Sequence, residues 1–381
     1  MKKTTIILIG LSFIKLGLAQ TIPQDSLYLG QKPPENEPKL FKLEVTPGTF
    51  PAERIAISND GTEIYYSEVK SYYPVKGGKI RYYKFRDNKW NGSFVLFEDF
   101  ISPALNLSSD TMFFEKNQKT YYSARNRSEW SKPKLFFNTN DSAHYLQATN
   151  KGNYYASARS KSSVGLSDWS RIQITGKDTS AISLGFPVNN VNENQDFYMA
   201  KDESYMITCP SGPVCISYPD NKGKWLNSRT LNKNINFGIS GWGAFVTADN
   251  RYLFYTTGTK PDYSDVNIYW VSMGDIIDSM KFTNLPPYVK NKPGPQSAIK
   301  GVKFNYSFPA DAVCDEDGKV IKYEARLIDG NPLPGWLTFD AQTKVLTGTP
   351  IEAGDVVLRI NAYDDKNAMT AFRFIISVSI K

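Results

Sequence analysis

The chain has a single histidine, His144, in 381 residues. A zinc centre built on several imidazoles and an HExxH protease are therefore excluded within this chain. A Ser-His-Asp arrangement would have to use His144, and GISGWG at 238–243 puts Trp242 where a nucleophile elbow needs glycine. Cysteine is almost as scarce, at three residues, and none follows directly after residue 19 to carry a lipid. An unbroken apolar run long enough to span a bilayer is also missing, since the stretch Thr4 to Leu18 is interrupted by Lys15. Charge of one sign is weak: losing Lys2, Lys3 and Lys15 with a leader lowers the formal net charge from +7 to +4. So small and scattered an excess excludes a nucleic-acid platform.

Residues 1–19 set Lys2 and Lys3 before an apolar stretch and the small residues Gly17 and Ala19. This predicts a secretory signal peptide cut after Ala19, and export to the periplasm, the cell surface or the medium. Aromatics are abundant, with 23 Tyr and 22 Phe, and glycine and proline punctuation is dense, a mixture that favours strands over helices.

The stretch SNDGTEIYY at 58–66 recurs in altered form as SSDTMFF, TNKGNYY, AKDESYMI and TADNRYLFY. Tyr65, Phe113, Tyr154, Met206 and Leu253 are equivalent, at spacings of 48, 41, 52 and 47 residues. A tryptophan keeps the same beat at Trp90, Trp130, Trp169 and Trp225. Four short antiparallel strands repeated at this interval are propeller blades. Asp60, Asp110, Asp202 and Asp249 then read as hairpin residues that turn the chain, because Asp, Asn and Gly tolerate the backbone of tight corners. Five units are legible, and six would fit if one is degenerate. The fifth lacks a fourth strand, and PKLFKLEV at 38–45 would supply it and close the ring.

YLGQKPPENEPKLF at 28–41, the SNDGTEIYY corners and the closing DVNIYWVSMGDII resemble exported bacterial TolB-like, WD-like propeller repeats. NLPPYVKNKPGPQ at 284–296 carries four prolines and reads as a stiff linker. Beyond it, GVKFNYSFP, GWLTFDAQTKVLTGTP and INAYDDKNAMTAFRFIISV resemble the dystroglycan-type cadherin-like, Ig-like domains. Trp336 and Leu337 are expected in that core. The expected fold is all-β, with a β-propeller over 26–282, a linker over 283–296 and an Ig-like β-sandwich over 297–381.

The cadherin-like resemblance implies calcium, for which Asp315, Asp317, Asp364 and Asp365 are the candidate ligands, although acids in turns are also ordinary solvated residues. Cys209 and Cys215 enclose the turn-rich PSGPV between two strands, where antiparallel partners can hold Cα atoms at disulfide distance. The expectation is a bridge there, with Cys314 free; two reduced core cysteines are the alternative. Loops 70–79 and 257–265 offer Tyr72, Tyr73, Lys76, Lys260 and Tyr263 as a contact surface for a protein or carbohydrate ligand. A binding or scaffold protein is the reading these features favour. The competing reading is a glycosidase using paired acids, with Glu193, Asp196, Asp202 and Glu203 as its candidates.

Overall fold

In a computed structural model that describes residues 22–72, 74–126, 128–137, 143–175, 178–191, 194–210 and 212–380, each polar corner joins two antiparallel strands. Asp60 shows why. Its Oδ1 accepts from Ser58 Oγ at 2.6 Å, Thr62 N at 3.0 Å and Thr62 Oγ1 at 2.8 Å, and Gly61 takes φ +72°. The carboxylate thus replaces backbone partners within one turn. Asp202 does the same with Ser204 N and Oγ, and Asp249 with Thr247 Oγ1 and Arg251 N.

Five antiparallel sheets follow along the propeller region of the described residues. Blade 1 comprises Phe50–Ile57, Glu63–Val69, Lys79–Arg86 and Lys89–Glu98. Blade 2 comprises Ile101–Leu105, Thr111–Lys116, Lys119–Asn126 and Lys134–Leu135, with Glu129–Trp130 beside the third strand. Blade 3 comprises Ala143–Ala148, Tyr154–Ala158, Asp168–Thr175 and Asp178–Ser183, and blade 4 Asp196–Met199, Met206–Cys209, Cys215–Ser217 and Arg229–Thr230. Blade 5 takes Ser240–Val246, Tyr252–Gly258 and Asn267–Ser272 from late in the propeller and Lys39–Leu40 from its start. The register pairs Lys39 with Trp270 and Leu40 with Tyr269, so the two ends of the propeller share one sheet and close the ring. Phe41, fully buried against Phe254 and Trp270, fixes this closure.

The first strands of neighbouring blades touch in a closed ring, which makes them the lining of the central channel. They run from a mouth, where Glu53, Ser102, His144, Asp196 and Trp242 lie, to the corners at the other end. Four of the five carry a register shift, at Ala52/Ile55, Ile101/Ala104, His144/Gln147 and Trp242/Phe245. In each shift one residue adopts positive φ: Glu53 at 64°, Ser102 at 59°, Tyr145 at 57° and Gly243 at 63°. These are β-bulges, which re-aim side chains and increase local twist. At Gly243 a Cβ would stand 2.6 Å from the backbone C and O of Glu53, so glycine alone lets blade 5 approach blade 1.

After Gly274–Ser279, a short helix, the chain builds an Ig-like sandwich. One sheet orders Gln296–Ile299, Met369–Ser379, Gly354–Asp364 and Val320–Leu327; the other orders Phe304–Ser307, Val345–Gly348 and Leu337–Asp340. Leu346, Leu358, Ile360 and Ile376 are fully buried between them. Leu337 belongs to this core, and Trp336 packs on it while partly exposed. The proline-rich segment is tied down: Arg229 Nε donates to Thr283 O at 2.9 Å, Asn227 Nδ2 to Pro286 O at 2.8 Å, and Tyr288–Val289 pairs with Val313–Cys314.

Candidate functional site

At the mouth the bulges bring together side chains from four blades. Glu53 is buried, and its carboxylate accepts from Tyr72 Oη at 2.5 Å, from Tyr145 Oη and from Ser102 Oγ at 3.4 Å, while its carbonyl accepts from Thr256 Oγ1 at 2.8 Å. Blades 1, 2, 3 and 5 therefore meet on one residue. Burial first, and then the nearby Asp196, push the Glu53 carboxyl above its usual range. His144 lies between carboxylates of the two flanking blades, with Nδ1 2.5 Å from Glu115 Oε2 and Nε2 2.8 Å from Asp196 Oδ1. Burial alone would depress the imidazole, but Glu115 and Asp196 outweigh it and hold His144 well above its ordinary pKa. The amide of Tyr145, turned away from the ladder by its bulge, donates to Glu115 Oε1 at 2.6 Å.

Two cationic side chains cross the ring beneath this layer. Arg54, 1% exposed, reaches from blade 1 to Phe197 O of blade 4 at 3.0 Å, with its guanidinium 3.9 Å over the Tyr145 ring. Lys201 reaches from blade 4 to Leu105 O of blade 2 at 3.0 Å, and burial, reinforced by Arg54, lowers its pKa to about 8. Above them the mouth opens as a cavity of about 570 Å³ lined by Glu53, Tyr72, Glu115, His144 and Asp196, with Val75, Ile101 and the Lys116–Gln118 hairpin tip on its rim.

Of the loop residues expected to form a contact surface, Tyr72 lines this cavity and Tyr263 stands behind it, the two rings grouped with Trp242 at centroid distances of 5.0 to 5.8 Å. The loops 70–79 and 257–265 are thus neighbours across the junction of blades 1 and 5. Lys76 and Lys260 are exposed and do not line the cavity. Tyr73 and Glu193 lie outside the described residues. The remaining acids of the glycosidase reading do not converge. Asp196 is at the mouth, whereas Asp202 and Glu203 sit in the corner at the far end of the same strand, where Glu203 accepts from Thr149 Oγ1 at 2.6 Å and Asn153 Nδ2 at 2.8 Å. The acids that do meet at the mouth come from blades 1, 2 and 4. Glu53, an acid beside an arginine in an otherwise apolar strand, was the visible sign of them; Glu115 and His144 carry no local sign.

The expected Cys209–Cys215 bridge is absent, and all three cysteines are free. Register explains it. Cys215 pairs directly with Thr208, and Cys209, next along the strand, faces the other side of the sheet. There Cys209 packs with Tyr198, Tyr205 and Val214, while Cys215 Sγ lies 3.7 Å from Thr230 Oγ1.

The four acids named for calcium lie close together at the propeller-facing end of the sandwich, mostly engaged by protein donors. Asp364 Oδ1 accepts from Lys366 N and Ala368 N at 2.8 Å and its Oδ2 from Asn284 Nδ2 at 2.6 Å; Asp317 Oδ2 accepts from Leu285 N at 3.1 Å. Asp315 Oδ1 caps its own turn through Asp317 N and Gly318 N, and its buried Oδ2 has no partner. Asp365 is exposed. Among the described residues no group of three or more His, Cys, Asp or Glu side chains is arranged to hold a metal ion.

No helix among the described residues is long and apolar enough to cross a membrane. No curated protein matches the chain. Among solved structures, TolB from Acinetobacter baumannii is similar at 15% identity, over 58% of this chain and 54% of that one, with a TM-score of 0.38. Oligogalacturonate lyase from Vibrio parahaemolyticus is similar at 10% identity, over 59% of this chain and 66% of that one, with a TM-score of 0.35. A structure from Bacteroides fragilis described as a putative α-galactosidase is 16% identical over 26% of this chain, with a TM-score of 0.20, and the chain spans only 19% of its length. No activity is carried over from likenesses this low. Residues 286–379 match the family described as Putative Ig domain, so the chain is an all-β protein that carries an Ig-like domain behind its propeller.

Proposed function

We propose that this chain is an exported binding or scaffold protein in which the propeller mouth is the recognition site and the Ig-like domain is a spacer or adhesion module. The observation that supports it best is the mouth itself: a cavity of about 570 Å³ whose walls come from separate blades and whose polar side chains are held by one another. Preorganised concave sites of this kind are default ligand sites. The export half of the reading rests on residues 1–19 and the expected cut after Ala19.

Catalysis by paired acids is the competing reading. Against it, both oxygens of Glu53 are already engaged by the hydroxyls of Tyr72, Tyr145 and Ser102. An array of glycans and peptides probed with residues 20–381 tests the two together. Selective binding without turnover is expected. Release of product sugar would overturn the binding reading, and so would an array signal that Tyr72→Ala leaves unchanged.

A further inference from the structure

The geometry points to a neutral glycosyl unit as the ligand of the mouth cavity, a step that rests on the reading of the mouth as a recognition site. Three features carry it. The polar wall is rich in planar, two-pronged groups, Glu115, Asp196, Asn117, Gln118 and the His144 ring, and Lys116, the flexible cation among the lining residues, is paired with Asp99. Carboxylates and amides of this shape can each accept from, or bridge, two adjacent hydroxyls of a pyranose, whereas they offer an incoming phosphate or carboxylate mainly repulsion.

The aromatic side of the cavity is the second feature. Tyr72 lines it, backed by Trp242 at 5.0 Å and Tyr263 at 5.8 Å between ring centroids. A ring so supported costs little conformational entropy to present and offers an apolar face for the C–H groups of a sugar.

Third, the charged wall is acidic: Asp99, Glu115 and Asp196 line the cavity, and a hydroxyl, which donates as well as accepts, serves them directly or through one water. An anion would face all three.

Charge within the layer is already matched locally. Lys116 Nζ is 3.1 Å from Asp99, and His144 is shared between Glu115 and Asp196. The cavity volume of about 570 Å³ admits one or two sugar rings rather than an extended chain.

The test is calorimetric titration of residues 20–381 with neutral hexose oligosaccharides and with their uronic-acid counterparts, choosing the neutral probe by glycan array. Expected is saturable binding of a neutral oligosaccharide, at least tenfold weaker in Tyr72→Ala and in Asp196→Asn, the loss that one stacked ring or one charge-assisted hydrogen bond produces. Tyr72→Phe keeps the ring and should stay within a few-fold of the parent. Melting curves of each variant show that the propeller still folds, and Asp99→Asn on the rim serves as a second probe if Asp196→Asn does not. Equal or tighter binding of the uronic-acid oligosaccharides overturns the inference. So does a peptide ligand whose binding Tyr72→Ala abolishes while every sugar fails, although the mouth would then remain the recognition site. Sugar binding untouched by any of these variants overturns both readings.

Discussion

The corner aspartates at one end of the propeller channel and the carboxylates at its mouth are used in opposite ways, Glu203 being a corner acid that also reaches a neighbouring blade. At the corner end, Asp60, Asp202 and Asp249 each find their partners two residues away, within their own turn. At the mouth, Glu53 bonds to Tyr145, 92 residues distant, and His144 bonds to residues 29 and 52 positions away. A carboxylate that satisfies itself locally builds the fold wherever it is placed. One that depends on other blades exists only once the ring has closed, and the backbone at the mouth is bulged in four strands to hold it. Bulged, left-handed backbone kept by non-local contacts is where function tends to reside.

The comparison breaks most sharply at Gly243. Gly243→Ala places a methyl group 2.6 Å from the Glu53 backbone and forces alanine to positive φ, so a loss of about 3 kcal/mol or more is expected by denaturant unfolding. The equivalent insult at a corner glycine with open surroundings, Gly152→Ala, meets only the φ penalty and should cost about 1 kcal/mol. Equal losses would mean that blades 1 and 5 part more easily than their contact suggests. Next comes Glu115→Ala, which leaves the Tyr145 amide without its acceptor and His144 with Asp196 alone. About 2 to 3 kcal/mol should be lost. Asp60→Ala removes only turn hydrogen bonds and should cost about 1 kcal/mol.

The ends should also differ in their response to pH. His144 has a raised pKa in the folded protein, so its contribution is fully present below the unfolded value near 6.5 and is lost as pH rises through the folded value. Glu53, also raised, acts in the same sense from its lower unfolded value upward. Asp60, lowered because its hydrogen bonds outweigh burial, contributes above its unfolded value and is lost in acid. From about pH 6.5 up to the folded value of His144 stability should therefore fall with pH, and His144→Gln should flatten that slope while Asp60→Asn leaves it unchanged. A slope that survives His144→Gln would move the titrating group elsewhere.

The repeat was legible because corner and second strand are local devices. Tyr65, Phe113, Tyr154, Met206 and Leu253 all fall in second strands, and the 38–45 segment closes the ring through Lys39 and Leu40. The tryptophan beat was less faithful: Trp90 lies in a fourth strand and Trp169 in a third, because a large apolar ring serves any buried position near a blade edge. The mouth was half legible. Tyr72 and Tyr263 were visible as loop aromatics, but Glu115 lies next to last in a strand that reads like any other, and only closure of the ring brings it to His144. The cysteine pairing failed by a single position in register, which sends a side chain to the opposite face of a sheet.

The smallest effect is expected where the same contrast is applied to the acids of the Ig-like domain. Asp364 Oδ1 and Asp315 Oδ1 are spent on their own turns, in the manner of the corner aspartates, and Asp317 and Asp364 Oδ2 hold Leu285 and Asn284. Calcium takes six to eight oxygens, and to recruit these it would have to displace those donors. The feature pulling the other way is Asp315, whose unpartnered Oδ2 is buried and whose carboxyl is pushed up by burial and by Asp317 and Asp364. A cation binding only the folded state would stabilise it by RT ln(1 + [L]/Kd), about 2.7 kcal/mol at a hundredfold excess. Melting curves of residues 20–381 in millimolar calcium and in chelator are expected to coincide, and Asp315→Asn, which removes a like charge from the group, is expected to raise the melting temperature slightly in both. A calcium-dependent rise of several degrees that Asp315→Asn abolishes would show that these acids behave like the mouth rather than the corners, holding a partner from beyond their own turn.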